Sequence, residues 1–418
     1  MQRIKPFCGI RPTKALADKV AILPNNLMNE DARRDIALRN PISFAHVIKP
    51  RINFQDGIEK TDQRLFDFAA EYLQKLIRDK TVFQDETECY YVYRQTLNGR
   101  SQTGIIARYH LDEYANGNIK KHEHTRSEKE SENVKHILST GIQSNPVFLA
   151  YNPIPEIDTL INTLTAEVPD YHFLSDFNVY HSLWVISDSV LIQTLSRLLN
   201  EKIPFSYIAD GHHRAASASL VAEIKRKENP GHKGDEAYNY LLTCLFPSNQ
   251  LKIYDYNRIV KDLNQLSSEL FLKKVRERFD IQASVISPFI PQRIHEIGMY
   301  FDNKWYALRA KEGTYKQDPI GVLDVSILQE QLLAPILGIL DPRTDKRIDF
   351  LEGTKGVAAL EKKVARGKSA VAFALYPVSM KQLFDVSDAG LIMPPKSTWF
   401  EPKLLSGLIT YRMLTDEN

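Results

Sequence analysis

The order of patterns along the chain predicts a mixed α+β fold. Runs with strand character and segments with helical apolar spacing follow one another throughout, so neither an all-α nor an all-β class fits. Asn98-Gly99 sits between two runs rich in Tyr, Val and Ile, a strong short-range hairpin signal. Pro204-Phe-Ser-Tyr-Ile-Ala209 reads as a short buried strand that feeds a helix through Asp210-Gly211. No solenoid or propeller period and no low-complexity run breaks this order.

Taken in order, residues 62–78 carry Leu65, Phe66, Ala69, Tyr72, Leu73 and Leu76 at helical spacing. The hairpin strands are expected over 88–95 and 102–111. Thr125-Arg-Ser-Glu128 has the form of a capping box and predicts a helix from there to about Leu138. A helix over 211–227 follows the 204–209 strand. Then come a strand over 237–246 and a helix over 262–278 with Leu263, Leu266, Leu270 and Val275 inward. Strands over 281–287 and 297–308, a helix over 323–337 and a strand over 369–376 continue the pattern. Helices over 378–386 and 403–414 complete it. Pro-containing stretches near 146–155 and 288–291 read as connections. With 418 residues and roughly 150 per domain, three regions are expected: 1–150, 151–260 and 261–418.

Composition excludes several classes. Lys and Arg total 54 against 52 Asp and Glu, a formal charge of +2, which supplies no drive toward nucleic acid or an anionic membrane. A hydrophobic content of 43 % with 25 % charged residues fits a globular chain that buries a core. Cys8, Cys89 and Cys244 are far apart and form no CxxC pair, which excludes a disulfide framework and a cysteine-built zinc site. The first residues enter no apolar signal segment, and the longest apolar stretch, near 370–376, is far short of the ~20 residues of a membrane span. A soluble cytoplasmic protein of enzyme size is expected.

Three constellations could carry chemistry. The densest is Ala209-Asp210-Gly211-His212-His213-Arg214 at the strand-to-helix junction. Gly211 allows a tight turn, and a helix start leaves amides without intrahelical partners, a natural phosphate site. Arg214 could grip two phosphate oxygens. Asp210 is read as a base, a metal ligand or a simple N-cap. The second is Lys120-Lys-His122-Glu123-His124-Thr125-Arg126, with Lys129 and Glu130 beyond; it offers either an anion-friendly helix approach or a solvated, salt-bridged face. A zinc reading of His122, His124, His212 and His213 matches no known ligand spacing, and no metal ligands are assigned. The third, Pro394-Pro395-Lys396-Ser397-Thr398, offers a charge and two hydroxyls for an oxyanion, or simply a proline-bounded loop. It lacks the glycines of a P-loop, and no GxSxG, GxGxxG or kinase signature is present.

These residues give the chain a resemblance to the family catalogued as domain of unknown function 1015, over nearly its whole length. The segments that carry it include Pro6-Phe-Cys-Gly-Ile-Arg11-Pro, Asn40-Pro-Ile-Ser-Phe-Ala-His46-Val and Tyr91-Val-Tyr-Arg94-Gln. Ile119-Lys-Lys-His122-Glu123-His-Thr125, the Asp210–Arg214 turn, Asp324-Val-Ser-Ile-Leu-Gln329 and Met393-Pro-Pro-Lys-Ser-Thr-Trp-Phe-Glu-Pro-Lys403 continue it. The Asp-Gly-His-His-Arg turn also resembles the nucleotide box of the ParB/sulfiredoxin-like superfamily, which includes a free-serine kinase. That resemblance implies a ParB-like core, with Arg214 and the Gly211–His213 amides as phosphate clamp and Asp210 as a catalytic or hydroxyl-orienting carboxylate. It makes His212 and His213 candidates for proton transfer or phosphate contact. The chain departs from DNA-binding ParB proteins in lacking a basic helix-turn-helix, and from sulfiredoxin in lacking the box cysteine.

The resemblance, with the family's association with serine biosynthesis, implies phosphoryl transfer on serine or O-phosphoserine. Asp210, His212, His213 and Glu123 would be catalytic. Gly211, Arg214, His122, Thr125, Lys129, Lys396, Ser397 and Thr398 would bind the phosphorylated metabolite or nucleotide, with Mg²⁺ and ADP or ATP as the implied cofactors. A phosphate-sensing regulator without turnover is the alternative.

Overall fold

The Asn98-Gly99 hairpin forms as its residues dictate. In the computed structural model, which describes residues 2–23, 30–54 and 57–414, Tyr90–Leu97 pairs antiparallel with Arg100–His110, Leu97 opposite Arg100. Asn98 and Gly99 take φ of +51° and +78°, the left-handed pair that a two-residue turn between twisted strands requires. This hairpin is the middle of a nine-stranded sheet. From one edge the order is Ile119–Lys120, Ser206–Asp210, Val147–Tyr151, Tyr240–Pro247, Arg100–His110, Tyr90–Leu97, Tyr180–Ile186 and Tyr171–Leu174; Ile4–Lys5 adds to Arg100–His110. Val147–Tyr151 and Tyr240–Pro247 run parallel to each other and are buried at every position, as apolar runs covered on both faces must be.

Two compact units result. One comprises Met1–Leu251 with Pro402–Asn418, the other Lys252–Glu401. The first holds the nine-stranded sheet, so strands from the expected 1–150 and 151–260 regions share one core. The second is built on an antiparallel six-stranded sheet ordered Phe279–Ala283, Lys304–Ala310, Glu296–Phe301, Val371–Ala374, Tyr256–Val260 and Ile348–Glu352. Mixed α/β architecture therefore holds in both.

The helix Gln63–Arg78 buries Leu65, Phe66, Ala69, Leu73 and Leu76, and Asp62 caps it by accepting from the Arg64 amide at 3.0 Å. Other expectations require correction. The helix placed from Thr125 begins at Ser127, with Arg126 as N-cap and no side-chain cap bond. The Arg126 amide donates to His213 Nδ1 at 3.3 Å, a tertiary contact that fixes the approach to the helix.

The helix over 403–414 does not form. Ile22 pairs with Ser406 and Ile10 with Thr410, while Tyr411–Arg412 joins Ile142–Gln143. Every residue from 402 to 411 is buried, which no one-sided helix could achieve. The helix expected from residue 262 starts at Ser268; Phe271 and Val275 face inward and Leu270 is exposed. The single strand over 297–308 is two, turned at Asp302 and Asn303, both at positive φ.

Candidate functional site

Parallel pairing explains why two distant motifs meet. Ile119–Lys120 lies beside Ser206–Asp210 in the same direction, Lys120 opposite Tyr207. The residues after each strand therefore leave the sheet together, which sets His122 and Glu123 beside the Asp210–Arg214 turn. The helices that follow, Ser127–Thr140 and His212–Glu228, pack on each other.

At the turn, Gly211 is N-cap at φ +108° with no side-chain cap bond. The first intrahelical bond runs from the Ala215 amide to the Gly211 carbonyl at 3.0 Å, so the amides before Ala215 lie ahead of the helical ladder. A Cβ on Gly211 would stand 2.9 Å from Arg214 Cζ. Glycine is thus required twice, by its backbone angle and by the guanidinium folded over it.

Asp210 joins two cations. Its Oδ2 accepts from Arg214 at 2.7 Å, and Lys403 Nζ stands 3.5 Å from Oδ1. Arg214 also donates to the carbonyls of Pro146 at 2.6 Å and Asn145 at 3.4 Å. Burial would raise the Asp210 pKa, but Lys403 and Arg214 overcome it and hold the carboxyl at about 2. Desolvation lowers Arg214, opposed by Asp210. About a third of Asp210 and a quarter of Arg214 meet solvent (35 % and 27 %), so the array is reachable from outside.

The histidines beside it are neutral. His122 and His212 are buried, and their rings meet edge to face at 4.5 Å. Burial lowers His122 to about 4, with Asp210 and the Ile208 main chain pulling the other way. Burial lowers His212 as well, helped by His122. His212 Nε2 accepts from the His122 amide at 3.4 Å, which puts the ring proton on Nδ1, 3.6 Å from Glu123 Oε2. Among the described residues, His122 Nδ1 has no hydrogen-bond partner. His213, less buried, is lowered by desolvation and by Lys129.

The structure thus gathers Asp210, Gly211, His212, His213, Arg214, His122 and Glu123, with Lys129 exposed on the flanking helix and Thr125 before it. Lys396, Ser397 and Thr398 belong to the second unit. Sequence reasoning missed Lys403 as a member. It lies at the end of the Pro-Lys motif, and Gln95 Nε2 holds its carbonyl at 2.8 Å, a contact 308 residues apart that only tertiary structure reveals. Among the described residues, no group of three or more His, Cys, Asp or Glu side chains is placed to hold a metal. No described helix is long and apolar enough to cross a membrane.

A family model described as "Protein of unknown function (DUF1015)" matches residues 4–326. The chain belongs to this family. No curated protein matches the sequence. Among solved structures, the chain is similar to a free serine kinase (E30Q mutant) in complex with AMP, at 13 % identity and TM-score 0.36, over 72 % of this chain and 91 % of that one. The E30A mutant of the free serine kinase in complex with ADP aligns at 14 % identity and TM-score 0.35, over 72 % and 91 %. A conserved hypothetical protein from Pyrococcus furiosus aligns at 11 % identity and TM-score 0.35, over 72 % and 94 %.

Proposed function

We propose that the start of the His212–Glu228 helix binds the phosphate of a small phosphorylated metabolite or nucleotide, and that the site transfers a phosphoryl group to or from a serine-type hydroxyl. The observation that carries this reading is the Arg214–Asp210–Lys403 array: two cations share one carboxylate beneath a helix N-terminus without a side-chain cap. The amides ahead of the helical ladder and the helix dipole favour an anion at the same place.

The roles within the site differ from a simple carboxylate-base scheme. A carboxyl held at about 2 with both oxygens engaged is a poor proton acceptor near neutral pH, so Asp210 aims Arg214 and Lys403 at the phosphate. Glu123 is the exposed carboxylate placed to take a hydroxyl proton, and the His212 ring proton, 3.6 Å from its Oε2, orients it. His122 Nδ1 is a buried acceptor without a donor among the described residues; leaving it so costs about 1–3 kcal/mol, and a ligand hydroxyl would relieve that cost. Mg²⁺ fits this donor set only in part. Asp210 is already engaged, which leaves Glu123 and the phosphates themselves as ligands. The ion would neutralise developing charge on the transferred group.

The test is turnover with O-phosphoserine, and with serine plus ATP or ADP, each with and without Mg²⁺, following phosphate and serine. Conversion in any arm, lost in His212→Gln, supports phosphoryl transfer. Saturable phosphate-ligand binding without conversion leaves the regulatory reading.

A further inference from the structure

The second unit holds a buried guanidinium with no anion beside it. Arg258, on Tyr256–Val260, is 3 % exposed. Its cross-strand neighbours are Phe350 and Phe373, and its guanidinium lies 5.3 Å from the Phe350 ring. One terminal nitrogen donates to the Tyr256 carbonyl and the other to the Pro395 carbonyl, the latter at 3.2 Å. Among the described residues no carboxylate pairs with it. Arginine carries five N–H donors, so three remain after these two bonds. Burial lowers Arg258 to about 9, with only Tyr256 acting against it.

The Pro395 bond fixes a turn of unusual form. Lys396, the next residue, has φ +58°, a left-handed angle uncommon for lysine and typical of functional turns. Ser397 Oγ donates to the Pro394 carbonyl at 2.6 Å and locks the turn from the other side. The Lys396 ammonium stands 5.3 Å from the ring of Tyr256, the residue whose carbonyl Arg258 holds. Two cations thus converge on one strand end and one rigid turn.

We propose that Arg258 and the 394–398 turn form an oxyanion site in the second unit, which takes a phosphate or carboxylate group on the remaining guanidinium donors with Lys396 beside it. The planar fork matches either group in two-point fashion. The proposal stands apart from the reading of the first unit and does not depend on it.

Thermal unfolding of the full chain in rising inorganic phosphate, and in a parallel acetate series at matched ionic strength, tests it. An anion that binds only the folded state raises Tm with concentration. Without added anion, Arg258→Met is expected to melt at or above the wild type, because an apolar side chain replaces an uncompensated buried charge. With phosphate or acetate, Arg258→Met should lose a part of the rise that Arg214→Lys keeps, and the two losses should add. Whichever series shows the Arg258-dependent part identifies the oxyanion. An equal rise in wild type and Arg258→Met, in both series, overturns the proposal. If Arg258→Met does not fold, Arg258→Lys decides: a reduced rise supports the fork, and an unreduced one overturns it. A normal rise in Arg214→Lys would count against the first-unit reading alone.

Discussion

Asp210 in the first unit and Asp324 in the second are the same side chain driven in opposite directions. Burial raises Asp324 to about 7, with the nearby Glu296 adding to it and the His295 amide opposing; its Oδ2 has no hydrogen-bond partner among the described residues. Burial acts on Asp210 too, yet Lys403 and Arg214 bring it to about 2. Arg214 and Arg258 form the matching pair among the cations, one on a carboxylate at 2.7 Å, the other on two carbonyls. Burial does not fix the state of a charge; the partner does. Asp210 and Arg214 compensate each other, whereas among the described residues no cation acts on Asp324 and no carboxylate on Arg258.

The largest effect expected from this contrast is on pH dependence. A carboxyl raised from 3.8 to about 7 on folding binds its proton more tightly in the folded state. Its stability contribution is then full below the unfolded pKa and lost as pH rises through the folded one. The loss approaches about 4 kcal/mol above pH 8, at 1.36 kcal/mol per unit. Asp324→Asn, neutral at every pH, should exceed the wild type in unfolding free energy at pH 8 and converge on it near pH 4. Parallel profiles for the two proteins would break the contrast. For Asp210 the sign reverses: its contribution is present above the unfolded pKa and lost as pH falls through about 2.

Asp210→Ala should come next. Removing one member of a fully buried pair costs 3–5 kcal/mol, but 35 % of Asp210 is solvent-exposed, so about 2–3 kcal/mol is expected by denaturant unfolding. Gly211→Ala forces a side chain into the left-handed region, about 1–2 kcal/mol, and against the Arg214 guanidinium. It should weaken phosphate-ligand binding as well as stability, whereas a purely conformational glycine would affect stability alone. The smallest effect belongs to Thr125→Ala. A genuine N-cap would lose about 1 kcal/mol; with Arg126 in that position and no cap bond, the change should stay within about 0.5 kcal/mol.

Local chemistry was legible in the sequence and distant chemistry was not. The Asn-Gly hairpin, the 63–78 helix and the Gly211 turn each follow from residues within one turn or one strand of each other. Thr125 misled because the helix starts two residues later, at Ser127, without a side-chain cap bond. The 403–414 segment misled because its backbone bonds go to Ile10, Ile22 and Gly141, partners no spacing rule can find. Lys403 and Arg258 were missed for the same reason, since each matters through a contact more than a hundred residues away.

The central claim is that Arg214, aimed by Asp210, grips an anion at the helix start. Titration calorimetry with O-phosphoserine on wild type, Arg214→Lys and Asp210→Asn tests it most directly. The account predicts saturable binding by the wild type, at least about tenfold weaker binding by Arg214→Lys, which keeps the charge but loses the fork, and equal or tighter binding by folded Asp210→Asn, whose amide oxygen still accepts from Arg214 while the repelling charge is gone. Wild-type affinity in Arg214→Lys, with Asp210→Asn unable to bind, would contradict it.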